Sequence, residues 1–183
     1  MRESRFGTRC GWQAGVALCA LAAAVPSLPV QAADPCDGFH WNVAHERTLF
    51  ATPPTPVTAA TAAGTVPTLE VDRLYDIALT PQDKVSFVMA PAKKALADGA
   101  YAGLVKLHIP VAGKYRVSMS EGFWIDVIAD GKFAPTDDFT GSRECSAPRK
   151  IVQYPLPAGN DLVLQFSNAT SPTVKVTVTA TPK

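Results

Sequence analysis

The sequence predicts a mainly β protein: an antiparallel β-sandwich of about seven to nine strands, jelly-roll-like, with one short helix near the N-terminus. From residue 75 onward, apolar residues alternate with polar or small ones in successive short runs. Proline and glycine separate these runs, and no helical periodicity follows residue 50. The chain has 183 residues, of which 47% are hydrophobic, and this is enough to build one domain with its own core.

The first 32 residues have the features of a secretory signal. Arg2, Arg5 and Arg9 precede an apolar, alanine-rich stretch at 10–25, which is too short to cross a bilayer core of about 30 Å. Small residues then provide a cleavage site, and we expect cleavage after Ala32 or Ala33. The mature chain is therefore expected to be periplasmic or secreted, without a membrane span. An uncleaved anchor is the alternative.

Removal of the signal changes the charge and the cysteine count. The mature chain would keep 14 basic and 15 acidic residues, because the signal contains three arginines and one glutamate. This balance provides no general attraction to nucleic acid or to an anionic membrane, so neither is expected as a partner. Cys36 and Cys145 remain, and in an oxidising compartment we expect them to form a disulfide. The alternative of two free thiols with redox or metal chemistry lacks a CxxC spacing.

The part before the strands divides in two. Residues 38–50 predict a short helix with Asp37 as its N-cap and with Trp41, Ala44, Thr48 and Leu49 as its buried stripe. Residues 51–67 consist almost entirely of Ala, Thr, Pro, Val and Gly, and their prolines exclude a helix. We therefore assign residues 33–68 to a helical segment and connector, and residues 69–183 to the β-sandwich domain.

Strands are predicted wherever the alternation is regular, and their turns indicate how they pair. The alternating runs are 75–79, 85–89, 105–109, 115–119, 162–166 and 174–178. Ala-Gly pairs at 112–113 and 158–159 predict two hairpins, over 106–120 and 151–167. A further hairpin is predicted between residues 114–119 and 123–128, with a three-residue loop that ends in glycine.

This last hairpin defines a candidate binding surface. Its register pairs Arg116 with Asp126 as a cross-strand ion pair and Ser118 with Trp124, all on the outer face. A two-residue loop would instead bury Asp126 among apolar side chains without a partner, which is costly. Trp124 is expensive to leave in water, so we expect either the N-terminal helix to cover it or a sugar or peptide to stack on it.

Catalytic and metal-binding patterns are poorly supported. His45 and Glu46 begin a zinc-protease motif, but Leu49 stands where the second histidine is required. His40 and His45 lie on different sides of the predicted helix, and His108 lies on a strand without a serine in a GxSxG setting. We therefore predict no catalytic residue, metal or cofactor. The alternative is a metal-dependent or hydrolytic enzyme with its site near the junction of helix and sheet.

The C-terminal half resembles a known family of accessory modules. The segments IPVAGKYRVSMS, FWIDVIADGK, YPLPAGNDLVLQFS and TVKVTVT, within residues 101–179, resemble bacterial pre-peptidase C-terminal domains. The resemblance implies a secreted β-sandwich of a kind that in some members binds substrate polymers or calcium. No matching acidic cluster occurs here, so calcium is not carried over.

The whole mature chain also resembles a group of exported proteobacterial proteins through CDGFHWNVAHERTLFA, GFWIDV and SRECSAPRK. Members of this group are sometimes labelled homogentisate dioxygenase. That enzyme class is a much longer cytosolic iron protein, and His40, His45 and His108 provide no facial triad. We therefore expect an exported, non-catalytic binding, accessory or envelope-structural module, whose partner is an unidentified envelope protein, peptide or glycan.

Overall fold

A computed structural model describes residues 34–145 and 147–182; the predicted signal lies outside them. Strands dominate this part of the chain, with one α-helix and one 3-10 turn, Gln82–Lys84. The elements are α1 (Ala44–Phe50), β1 (Thr55–Thr58), β2 (Thr68–Leu69), β3 (Tyr75–Ala78), β4 (Thr80–Pro81), β5 (Tyr101–Ile109), β6 (Gly113–Met119), β7 (Trp124–Ala129), β8 (Lys132–Phe133), β9 (Asp138–Gly141), β10 (Lys150–Leu156), β11 (Gly159–Ala169) and β12 (Thr173–Ala180).

The strands form two sheets, and the predicted fold class of a β-sandwich with a short helix is confirmed. The first sheet has the order β1-β3-β12-β6-β10-β9, and the second has the order β2-β5-β11-β7-β8, with β4 also paired to β5. Most neighbours are antiparallel, but β1 runs parallel to β3 and β2 runs parallel to β5. Both sheets are therefore mixed. Their parallel edge strands are β1, which lies in the proline-rich stretch 51–67, and β2, which follows it directly.

The core lies between the sheets and follows the predicted alternation. The inward residues of β5, β6, β11 and β12 are almost fully buried. Residues 85–89 were also expected to be a strand, and this prediction is wrong. They begin an irregular segment, residues 85–100, whose backbone is held against the outer face of the second sheet: Met89 O accepts from Gln165 Nε2 at 3.0 Å, and Ala92 N donates to Asp126 at 3.2 Å.

The three predicted hairpins are wrong. β5 and β7 belong to the second sheet whereas β6 belongs to the first, and β10 and β11 are likewise in different sheets. Alternation cannot distinguish a hairpin from an arch that crosses between sheets, because both place the apolar residues inward. A true hairpin joins β7 to β8, where Asp130 and Gly131 have φ of 51° and 69° and Ala129 pairs with Lys132. An Asp-Gly pair is the usual sequence signal for such a two-residue turn.

The N-terminal segment covers the outer face of the first sheet. Its helix starts later than predicted and is not capped by Asp37; instead the Asn42 side chain accepts the N–H of Ala44 at 2.9 Å. The predicted buried stripe is also wrong, because Ala44 and Thr48 are exposed and Glu46 is the buried helix residue. No helix among the described residues is long and apolar enough to span a membrane.

The predicted disulfide between Cys36 and Cys145 is confirmed, with a Cα–Cα distance of 4.8 Å. Cys145 lies in the connection between β9 and β10, so the bridge ties the N-terminal segment to the same end of the molecule as these two strands. Ser142 Oγ in this connection also donates to Pro35 O at 2.9 Å. The segment is therefore attached to the sandwich by a covalent bond and by a hydrogen bond from a side-chain hydroxyl to its backbone.

Candidate functional site

The structure separates the four residues of the predicted binding surface. Arg116 and Ser118 are on β6 in the first sheet, and Trp124 and Asp126 are on β7 in the second. The predicted ion pair between Arg116 and Asp126 is therefore wrong, because the two strands join by an arch and not by a hairpin. These four residues therefore do not form a single binding surface. Arg116 and Ser118 lie on one sheet, and Trp124 and Asp126 lie on the other.

Arg116 connects the N-terminal segment to the first sheet through hydrogen bonds and a contact with an aromatic ring. Its guanidinium donates to Glu46 Oε1 at 3.2 Å and to Asn42 O at 3.1 Å, and it lies 4.6 Å from the centre of the Trp41 ring. Thr179 Oγ1 donates to the same Glu46 oxygen at 3.1 Å. The side chains of Arg116 and Glu46 are only 8% and 3% exposed, so their contact with each other is structural and not a ligand site.

Trp124 is held in a fixed orientation on the second sheet. Its indole N–H donates to Asp126 Oδ1 at 2.9 Å, and the other oxygen of this carboxylate accepts from Ala92 N at 3.2 Å and from Gln165 Nε2 at 3.4 Å. The ammonium groups of Lys93 and Lys150 each lie 5.8 Å from the ring centre, within the range of a cation–π contact. The ring nevertheless remains partly exposed, and the N-terminal helix packs on the other sheet.

One face of Trp124 belongs to an apolar pocket where the two sheets meet at one end. The pocket has a volume of about 270 Å³. Ile125 of β7 and Val152 and Tyr154 of β10 are buried core residues that form its inner wall. Phe139 of β9, with 63% of its surface exposed, lines the pocket at its outer side. We call this cavity, between Trp124 and Phe139, the aromatic pocket.

The polar groups of the aromatic pocket are few and mostly occupied. Lys150 Nζ donates to Phe123 O at 2.9 Å, and burial, with the nearby Lys93 charge, lowers the pKa of Lys150. Tyr154 donates its hydroxyl to Ile125 O at 3.3 Å, and burial raises the pKa of this tyrosine, which stays neutral. Lys150 is therefore a partly buried, hydrogen-bonded lysine and not an ordinary solvated charge. Lys150 lies two residues before Val152 on the same strand, so both side chains point to the inner face of the sheet. This spacing was the signal in the sequence that indicated an inward lysine.

A second cavity continues from the first. It has a volume of about 510 Å³ and shares Phe139 and Lys150 with the aromatic pocket. Gly122, residues 140–142, Arg143 and Arg149 also line it. We call Arg143, Arg149 and Lys150 the basic end. The two cavities together form a groove with an aromatic part and a cationic part.

The histidines are held separately by carboxylates. His45 Nε2 lies 2.8 Å from Asp72 Oδ1, and His108 Nδ1 lies 2.5 Å from Glu70 Oε2. Both acidic residues belong to the turn between β2 and β3, so the contacts connect this turn to α1 and to β5. Within the described ranges, no three His, Cys, Asp or Glu side chains are grouped closely enough to hold a metal ion.

Comparison with known proteins finds no family model that matches the chain and no curated protein that is significantly similar to it. The resemblances to pre-peptidase C-terminal domains and to exported proteobacterial proteins stay predictions. Sequence reasoning identified Trp124 and Asp126 but missed Phe139 and Lys93, which the fold brings beside them. Phe139 lies in a strand of only four residues, which is too short to show a regular alternation of apolar and polar residues.

Proposed function

We propose that this protein is an exported, non-catalytic binding module that holds one ring-sized apolar group in the aromatic pocket. The observation that carries the proposal is a partly exposed, hydrogen-bonded indole that shares an apolar pocket with a largely exposed phenylalanine. Large apolar side chains that stay in contact with water on a folded domain are typical of binding sites. Export is supported by the disulfide, since such bonds persist mainly in oxidising compartments.

The dimensions and rigidity of the pocket support binding of a small group. A volume of about 270 Å³ is slightly below the usual range for drug-sized ligands, so it suits one ring or one large side chain. Trp124 keeps its orientation through Asp126, and the inner wall belongs to the core. The pocket therefore exists before the ligand arrives, and little ordering has to accompany binding.

The proposal is tested with 1-naphthylamine, a neutral aromatic probe of about the size of an indole whose fluorescence shifts to shorter wavelength when it leaves water. We expect saturable binding to the folded mature protein and at least a tenfold loss of affinity for Trp124→Ala and for Phe139→Ala, because each removes an aromatic wall. Phe133→Ala is the matched control, since Phe133 is an exposed phenylalanine that does not line the pocket. Non-saturable binding, or an equal loss for Phe133→Ala, would refute the proposal.

A further inference from the structure

The groove formed by the aromatic pocket and the basic end is longer than a single ring, and its two parts differ in chemistry. Phe139 and Lys150 border both cavities, so the cavity beside Trp124 is adjacent to the one lined by Arg149 and Arg143. A chain that fills the groove would place an apolar group at one end and polar or charged groups at the other.

The aromatic pocket favours an apolar side chain over a sugar ring. Three polar side chains line it: the Tyr154 hydroxyl is bonded to Ile125 O, the Lys150 ammonium is bonded to Phe123 O, and Thr136 supplies one exposed hydroxyl. A pyranose has several hydroxyl groups, and most of them would lose their water without gaining a partner from this lining, which is costly. An aromatic or large aliphatic side chain has no such requirement.

The cations of the groove favour acidic neighbours for that side chain. None of the ion pairs among the described residues includes Lys93 or any member of the basic end. Three cations, Arg143, Arg149 and Lys150, line the groove, although the mature chain has slightly more acidic than basic residues. A fourth, Lys93, lies 5.8 Å from the centre of the Trp124 ring. Two of them, Lys93 and Lys150, share one indole and repel each other. An anionic ligand would relieve this repulsion.

We propose that the natural occupant of the groove is a segment of a partner protein that inserts one large apolar side chain into the aromatic pocket and places adjacent acidic side chains on the basic end. This inference rests on the proposed function, because it uses the same pocket. The apolar side chain supplies most of the affinity, and the acidic side chains supply selectivity and electrostatic steering.

The test compares two fluorescein-labelled peptides by fluorescence anisotropy. One has a phenylalanine followed by three glutamates, and its twin has three glutamines in their place. We expect the acidic peptide to bind about tenfold more tightly at low salt, and the difference to shrink as salt screens the charges. Arg143→Gln/Arg149→Gln should reduce the difference severalfold, because Lys150 remains as the third cation of the basic end, and should change the affinity for the neutral twin much less than the affinity for the acidic peptide. Both arginines are exposed, so the fold should tolerate the change.

The matched control is Arg73→Gln/Lys84→Gln, which removes two exposed cations outside the groove and should leave the preference unchanged. Equal binding of the two peptides, or tighter binding of a uronic acid oligosaccharide than of the acidic peptide, would overturn the inference. If the naphthylamine probe still binds in the aromatic pocket, the proposed function stands without this inference. If neither the probe nor a peptide binds, both fail.

Discussion

The buried ion pair between Arg116 and Glu46 allows a quantitative test of how the N-terminal segment is attached. Replacing Arg116 by Met keeps most of the side-chain volume but removes the donors to Glu46 and Asn42. Glu46, which is 3% exposed, would then keep Thr179 Oγ1 as its remaining described donor. A buried carboxylate that loses its cation destabilises a protein by about 3–5 kcal/mol.

This loss is large compared with the total stability of a domain, about 5–15 kcal/mol. For a domain of this size it lowers the melting temperature by about 2–4 °C per kcal/mol. Urea denaturation of the oxidised protein measures the free energy of unfolding directly, with the slope of the transition as a check that both variants unfold alike. Glu46→Leu/Arg116→Met should recover most of the loss, because an apolar pair needs no compensation for desolvated charges.

Lys114→Met is the control for this experiment. Lys114 is on the same strand as Arg116 and pairs with Asp137 at 3.0 Å, but 56% of its side chain is exposed. Water screens such a pair, so we expect a much smaller loss than for Arg116→Met. If the two single variants lose the same free energy, or if the Glu46/Arg116 double variant is no more stable than Arg116→Met, the buried pair does not hold the segment as argued.

The remaining predictions concern the disulfide, one glycine and one lysine. Replacing both bridge cysteines by serine should lower the free energy of unfolding by about 2–5 kcal/mol in urea, since the bond closes a separation of 109 residues. A Cβ at Gly103 would lie 2.5 Å from the Ala59 side chain, so Gly103→Ala should cost roughly 1–3 kcal/mol and lower the melting temperature; an unchanged value would contradict this close approach. Burial and the Lys93 charge hold the pKa of Lys150 below 10.5 in the folded protein. Between that lowered pKa and 10.5, the unfolded chain binds more protons than the folded protein, so the free energy of unfolding should rise with pH across this range. Urea midpoints from neutral pH to about pH 10 should show this rise, and Lys150→Met should reduce it.

Much of the fold could be predicted because strand periodicity reports which side chains face the core. Val117 and Val176 face inward as their alternation indicates, whichever strand each of them pairs with. The same periodicity does not report which strands pair with each other. The arch between β6 and β7 preserves the inward face while moving the second strand to the other sheet, so Arg116 and Asp126 acquired unrelated neighbours. A local sequence pattern does not contain that choice, because it depends on distant strands such as β10 and β11.

The site was partly predictable for the same reason. Trp124 was recognisable as a large aromatic residue out of phase with the core alternation, and its position next to Asp126 in the pattern placed both on one face. The parity of Lys150 with Val152 would have indicated an inward lysine. Phe139 and Lys93 come from a short strand and an irregular segment, where periodicity carries no information. They become neighbours of the pocket only through tertiary packing.

The covering of the sheets explains why the proposed binding site lies at the end of the sandwich. The N-terminal segment covers the outer face of the first sheet, where Ser118 and Thr177 are fully buried, and residues 85–100 cover part of the second, where Gln165 is buried. The outer face of the first sheet is therefore closed to a flat ligand, and only part of the second is open. At the end where β9 and β10 face β7, by contrast, core side chains of both sheets line an open cavity. A group bound there contacts both sheets at once, and the disulfide holds the connection between β9 and β10. Since strands and a covalent bond fix its walls, this site can bind without the entropic cost of ordering a loop.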